Sequence, residues 1–200
     1  MHPNAAFRWD HRQALQGFAS EIGFGMLFAA TPDGPRVAHV PFVFLDEDRI
    51  GFHLARGNGI VRHLNGTEAL FVVNGPDAYV SPDWYGTPDQ VPTWNYLAVE
   101  MQGPVSQMER DGLIRQIDLL TAAQEARLLP KPAWTRDKMT DGLFEKMLGA
   151  ITGFEMRITA WRSTAKLSQN KDSAARQGVA DALDARGQKA MAHLIRELVG

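Results

Sequence analysis

The chain has 200 residues, 44% hydrophobic and 22% charged, a composition for one or two compact domains and not for a disordered chain. Its 21 Lys and Arg against 23 Asp and Glu give a net charge of −2, without the basic excess of a protein that grips nucleic acid by its phosphates. Cysteine is absent, which excludes a disulfide scaffold, Cys-ligated zinc, iron–sulfur clusters and thiol catalysis. No run approaches the roughly 18 to 20 apolar residues of a membrane helix. Asp10 and His11 stand where a secretion signal carries its apolar stretch, so a cytoplasmic location is expected.

Taken in chain order, the first predicted helix is N-capped by Asp10, carries Leu15, Phe18, Ala19 and Ile22 on one stripe, and ends at Gly23. Strand-like runs follow over residues 24–30, 36–45, 49–55 and 69–74, bounded by the turn sequences PDGP, DED and NGPD. A longer alternating run covers 93–108. Helical periodicity returns over 110–128, with Leu113, Ile117, Leu120 and Gln124 on one face, and over 141–151. A last strand is predicted over 154–163, then the polar segment KLSQNK (166–171), then a helical tail from about 172, interrupted near Gly187. Short strands joined by tight turns specify a meander or barrel, so the fold class is α+β, a β-barrel core with peripheral helices.

Strand alternation places Ala38, Val40, Phe42 and Phe44 on one face of the second strand, and Ile50, Phe52 and Leu54 on the matching face of the third. If DED (46–48) closes a hairpin, His39 and His53 share the opposite face as near diagonal neighbours. Arg56 and Asn58 follow in RGN at the strand end, where a planar guanidinium and backbone amides suit an anion. The same residues also read as an ordinary solvated strand face. Two histidines on adjacent strands suggest a metal, but no third ligand has matching spacing.

Residues 79–96, YVSPDWYGTPDQVPTWNY, hold five of the chain's eight Trp and Tyr side chains. Trp84, Tyr85 and Trp94 alternate there with Ser81, Thr93 and Asn95, a mixture of flat walls and fixed polar groups that suits a planar heteroaromatic ligand. A Pro-rich loop packed down by its own aromatics explains the same pattern. Lys166, Ser168, Gln169, Asn170 and Lys171 of KLSQNK add further donors, and a solvated turn before the last helix explains the same segment. No phosphate-binding glycine loop, nucleophile elbow or HExxH motif is present.

The strings HVPFVF, FHLARGN, AYVSPDWY, VPTWNY and KLSQNK, in this order, resemble the PaiB family over nearly the whole chain, from about residue 7. That family consists of FMN-binding proteins known as negative transcriptional regulators, and it is similar to the pyridoxamine-phosphate-oxidase-like flavoproteins. The resemblance implies a single domain over 1–200, a six-stranded antiparallel split β-barrel with peripheral helices, and a homodimer with FMN at the subunit interface. It implies that Arg56 and Asn58 hold the FMN phosphate and that His39 and His53 lie along the flavin. Ser81, Trp84, Tyr85, Thr93, Trp94 and Asn95 would then close the pocket, with Lys166, Ser168, Gln169 and Asn170 from the same subunit or its partner.

The function expected is a flavin-dependent regulator or a flavin reductase-like oxidoreductase. Direct DNA binding is the alternative that the family's regulatory role suggests, although no helix-turn-helix with a basic recognition helix is visible. A haem-binding split barrel, with His39 or His53 as axial ligand, is a third.

Overall fold

The computed structural model describes residues 2–197. Met1 and residues 198–200, the two ends of the domain expected over 1–200 and of its helical tail, lie outside them.

In chain order the elements are helix α1 (Arg12–Ile22), strands β1 (Phe24–Thr31), β2 (Gly34–Phe44) and β3 (Arg49–Ala55), and the short helix α2 (Val61–Leu64). Strands β4 (Glu68–Val80) and β5 (Thr93–Gln107) follow, then helices α3 (Arg110–Glu125) and α4 (Leu143–Leu148). Strands β6 (Ile151–Arg157) and β7 (Ala160–Lys166) lead to helices α5 (Ser173–Ala185) and α6 (Lys189–Glu197). The strand order is β4-β1-β2-β3-β6-β5-β7, and β4 also pairs with β5. Six strands therefore make a closed circuit of pairing, with β7 added on β5. This is the α+β split-barrel class that the sequence predicts.

The residues group into two compact units. The larger comprises Gln16–Val73 and Glu100–Trp161. Its core follows from strand alternation: Ala38, Val40 and Phe42 of β2 and Ile50, Phe52 and Leu54 of β3 are all buried, as their spacing requires. Phe71 of β4 lies between Phe42 and Phe52, with ring centroids 4.9 and 5.9 Å away, and Phe154 of β6 stacks on Phe52 at 6.0 Å. Helix α3 rests on this sheet through buried Leu113, Gln116 and Leu120. Gly51 and Gly153 permit the close approach, since a Cβ at either would stand 2.8 Å from Gln116 Cγ or 2.9 Å from Leu113 Cδ1.

The smaller unit comprises the chain up to Leu15, Asn74–Val99 and the chain from Arg162. Here α5 is capped by Asp172, whose Oδ1 accepts from Ala175 N at 2.8 Å. It lies so close to the turn at residues 82–85 that a Cβ on Gly178 would stand 2.5 Å from the Trp84 carbonyl oxygen. Val179, Ala180 and Leu183 of α5 and Met191, Ala192 and Ile195 of α6 are buried. The chain break expected near Gly187 separates the two helices, and Gly187 has φ +80°.

Several elements differ from the sequence reading. β4 runs straight through NGPD (74–77). Its pairing with β1 spans only Ala69–Val72, so Pro76 lies beyond the point where a donor to β1 is needed. The strand expected over 154–163 is two strands, because Ile158 N–H donates to Asp48 O at 2.7 Å and Thr159 N–H to Gln102 O at 2.8 Å, turning the chain between them. The seventh strand arises there. At the start of α1, His11 Nδ1 accepts from Ala14 N at 3.3 Å, so His11 and not Asp10 caps the helix. Leu167 and Ser168 in KLSQNK are buried and not part of a solvated turn.

Candidate functional site

In the larger unit, the loop from β3 to α2 is built on Asn58. Its N–H donates to Ala55 O at 2.9 Å, its carbonyl accepts from Val61 N at 3.0 Å, and its Oδ1 accepts from Ile60 N at 3.1 Å. The side chain thus holds a tight turn that begins α2. Opposite stands the β1–β2 hairpin turn, held by Thr31 Oγ1 donating to Gly34 O at 2.6 Å. Between them lies a depression of about 230 Å3 lined by Asn58, Gly59, Arg36, Arg62, His63 and Asp33, among others.

Arg62 Nε donates to His63 Nε2 at 2.9 Å, and Arg36 Nη1 to the Pro35 carbonyl at 3.2 Å. Neither arginine is ion-paired among the described residues. Two guanidinium groups whose hydrogen-bond partners are neutral share this depression with Asp33, an arrangement that can receive a phosphate-sized anion.

Arg56, grouped with Asn58 by the sequence, opens into a different depression of the same unit, lined also by Glu109, Arg110, Leu113, Glu145 and Leu148. Its backbone N–H donates to Ala150 O at 2.8 Å. The two histidines also part. β2 pairs with β3 over Phe42–Phe44 only, while His39 is exposed and stands opposite Met26 of β1. His53 is half-buried under α3, with Nδ1 3.0 Å from Gln116 Oε1. The shared open face expected of the pair is therefore not formed, because α3 covers the His53 end.

In the smaller unit, the sequence cluster does converge. Tyr85, Thr93, Asn95, Lys166, Ser168 and Asn170 line one pocket of about 190 Å3, together with Asn4, Phe7, Gln90, Val91 and Lys171. Asn95 Nδ2 donates to Ser168 Oγ at 2.9 Å, Lys166 Nζ donates to Thr93 Oγ1, and Lys171 Nζ donates to Gln90 Oε1. Lys171 Nζ also lies 4.8 Å above the Tyr85 ring and Lys166 Nζ 5.6 Å from the Phe7 ring. Burial holds the Lys166 ammonium below its ordinary pKa.

The remaining predicted residues do other work. Gln169 braces the KLSQNK turn, with Oε1 accepting from Leu167 N at 2.7 Å and Nε2 donating to Ala6 O at 3.0 Å. Trp84 faces Arg186 at 6.0 Å. Trp94 is exposed and meets Tyr79 edge-on at 6.2 Å. Ser81 precedes the 3-10 turn at Pro82–Tyr85 without capping it. Arg36, Arg62, His63, Phe7 and Gln90 are the residues sequence reasoning missed. Arg62 and His63 lie four and five residues after Asn58 of RGN, so proximity to the motif is the available signal; Arg36 and Phe7 carry none. Among the described residues no group of three or more His, Asp or Glu is placed to hold a metal ion, and no helix is long and apolar enough to cross a membrane.

The closed circuit of six strands is that of the split-barrel class. Solved structures share the fold. One is a FAD and haem binding protein of Mycobacterium smegmatis, with TM-score 0.56, 18% identity, 80% of this chain covered and 73% of that one. Another is the flavocytochrome Anf3 of Azotobacter vinelandii, with TM-score 0.57, 14% identity, 83% of this chain and 72% of that one. The family model described as "Putative FMN-binding domain" matches residues 1–160, and the chain belongs to that family, whose cofactor is FMN. It is 32% identical over 170 residues to the protease synthase and sporulation protein PAI 2 of Bacillus subtilis (strain 168), covering 83% of this chain and 81% of the relative. The PaiB resemblance read from the motifs is thereby established.

Proposed function

We propose that this chain is a homodimeric, FMN-dependent regulator in which the flavin phosphate is held by Arg36, Arg62 and His63 beside the Asn58 turn. The observation that carries this reading is the pair of guanidinium groups at one depression with no carboxylate partner among the described residues. A phosphate would accept from both in charge-assisted hydrogen bonds. A bound flavin supplies hydride and electron transfer itself, so the protein's share is to bind and orient it.

The second copy is supported by apolar side chains on the strands next to this depression: Phe24 of β1 and Val37 of β2 are 50% and 47% exposed. The Bacillus relative is named for protease synthesis and sporulation, which suits a regulatory role. A direct grip on DNA has less support. Of the basic residues near the C-terminus, Arg196 is paired to Asp181 at 2.9 Å and Asp184 at 3.0 Å, while Lys166 and Lys171 point at Thr93 and Gln90. A flavin reductase-like activity is the second reading. Haem ligation by His53 is disfavoured by its contact with Gln116.

The absorbance spectrum of the freshly purified protein, followed by FMN titration, tests the reading. A flavin spectrum, or saturable binding in the micromolar range, supports it; no binding at about 100 μM defeats it. Light scattering must report a dimer. Salt-sensitive retardation of DNA in a gel would favour the direct repressor instead.

A further inference from the structure

The pocket of the smaller unit shares no residue with the depression at the Asn58 turn. It carries two ammonium groups, Lys166 and Lys171, whose hydrogen-bond partners are the neutral Thr93 and Gln90. No carboxylate lines it, and neither lysine is ion-paired among the described residues. Positive charge in a partly enclosed pocket without a counter-charge is a demand for an anion.

Asn95 makes a second demand. It is fully buried, lines the pocket, and its Oδ1 has no hydrogen-bond partner although its Nδ2 donates to Ser168 Oγ at 2.9 Å. A buried carbonyl oxygen left unpaired calls for a donor from elsewhere. Ser168 Oγ accepts from Asn95, so its own proton is free to point to a ligand. Ser168 is itself held with φ +62°, a conformation few residues other than glycine adopt, and Gln169 ties the turn on both sides of it. The ring faces of Phe7 and Tyr85 supply apolar wall.

Size narrows the class. A cavity of about 190 Å3, below the roughly 300–1,000 Å3 of sites that take drug-sized ligands, suits a small anion. We infer that this pocket is a second ligand site, one that takes a small hydroxycarboxylate, its carboxylate at Lys166 and Lys171 and its hydroxyl donating to Asn95 Oδ1. The inference does not rest on the flavin reading, because every residue it uses lies in this pocket.

The test is isothermal titration of the full chain with two matched pairs, lactate against propionate and salicylate against benzoate, with inorganic phosphate as a further probe. The expected result is saturable binding of at least one hydroxy acid, about tenfold tighter than its partner lacking the hydroxyl, the difference that one hydrogen bond to a buried acceptor makes. Lys171→Met, at a half-buried side chain, must weaken that binding about tenfold or more while the urea midpoint shows the variant folded. The hydroxy acid must bind equally to flavin-free and FMN-saturated protein.

Four results would overturn the inference. One is absence of binding by all four acids at about 10 mM, which would leave Asn95 to an internal water. Others are equal affinity within both pairs, or phosphate binding as tightly as the best acid. The last is displacement by FMN, which would assign the pocket to the flavin. If the chain binds no flavin at all, the titrations with the acids still decide the inference.

Discussion

Gln116 Oε1 lies 3.0 Å from His53 Nδ1, tying the middle of α3 to the middle of β3. With the carbonyl oxygen on that side, the histidine must carry its proton on Nδ1 and donate it. Gln116 is fully buried, and its Nε2 has no partner. The contact therefore satisfies the Gln116 carbonyl while its Nε2 stays unpaired, and it explains why a histidine that the sequence assigns to an open groove stands under a helix.

From this contact we expect Gln116→Ala to destabilise the protein by about 1–3 kcal/mol, since it strands the His53 donor and leaves a void above Gly51. The double variant His53→Leu with Gln116→Leu removes both polar partners and should recover most of that loss. Urea unfolding of the three proteins measures it. A Gln116→Ala loss below about 0.5 kcal/mol would show that the contact contributes nothing beyond an ordinary surface pair.

The flavin reading gives a sharper expectation at Arg62. If its guanidinium holds the phosphate, Arg62→Ala should weaken FMN about tenfold to a hundredfold, the range for hydrogen bonds to a charged group. Riboflavin, which lacks the phosphate, should bind the variant and the natural protein alike. Arg36→Ala should behave the same way. Equal weakening of riboflavin would place Arg62 away from the phosphate.

The fold was legible where burial follows a period. β3 and the inward residues of β2 are where alternation puts them, and the break at Gly187 is where a helix-ending glycine puts it. What was not legible depends on chain far away in sequence. The turn at Ile158 and Thr159 is made by backbone acceptors on Asp48 and Gln102, which no local pattern announces. The candidate sites divide in the same way. KLSQNK and VPTWNY, far apart in the chain, are joined by the Asn95 to Ser168 bond, so their polar density was a true sign of convergence. Arg36, by contrast, meets Arg62 only because the β1–β2 turn and the β3–α2 loop share one depression.

Gly25 offers a test of the core. A Cβ there would stand 2.4 Å from Phe71 Cε1 and 2.7 Å from Val72 O, and Phe71 is wedged between Phe42 and Phe52. Gly25→Ala should cost about 1–3 kcal/mol by overpacking. Gly17, within α1, has nothing within 4 Å of the position a Cβ would take, so Gly17→Ala should stabilise by about 0.5–1 kcal/mol. Opposite signs in thermal unfolding are the expected outcome; a neutral Gly25→Ala would mean that the strand shifts to make room.

Lys166 sets a pH dependence whose sign can be worked out. Burial lowers its pKa in the folded protein below the ordinary 10.5. Between those two values the unfolded chain holds the proton more often than the folded one does, so this group's contribution makes stability rise with pH across that window. Below it both states are charged, and the full cost of burying the ammonium beside Phe7 and Thr93 is present. Lys166→Met removes that cost, so the variant's stability relative to the natural protein should be greatest near neutral pH and should shrink as pH climbs. Urea midpoints of both proteins from about pH 7 to about pH 10 provide the measurement. A difference that stays flat would show that the ammonium is as well solvated in the pocket as in the unfolded chain, and one that widens with pH would show that the pocket favours the charged form. A hydroxycarboxylate bound against Lys166 should reverse the trend, because it stabilises the charged form; its addition should turn the rise into a fall of stability as pH climbs through the lysine's range.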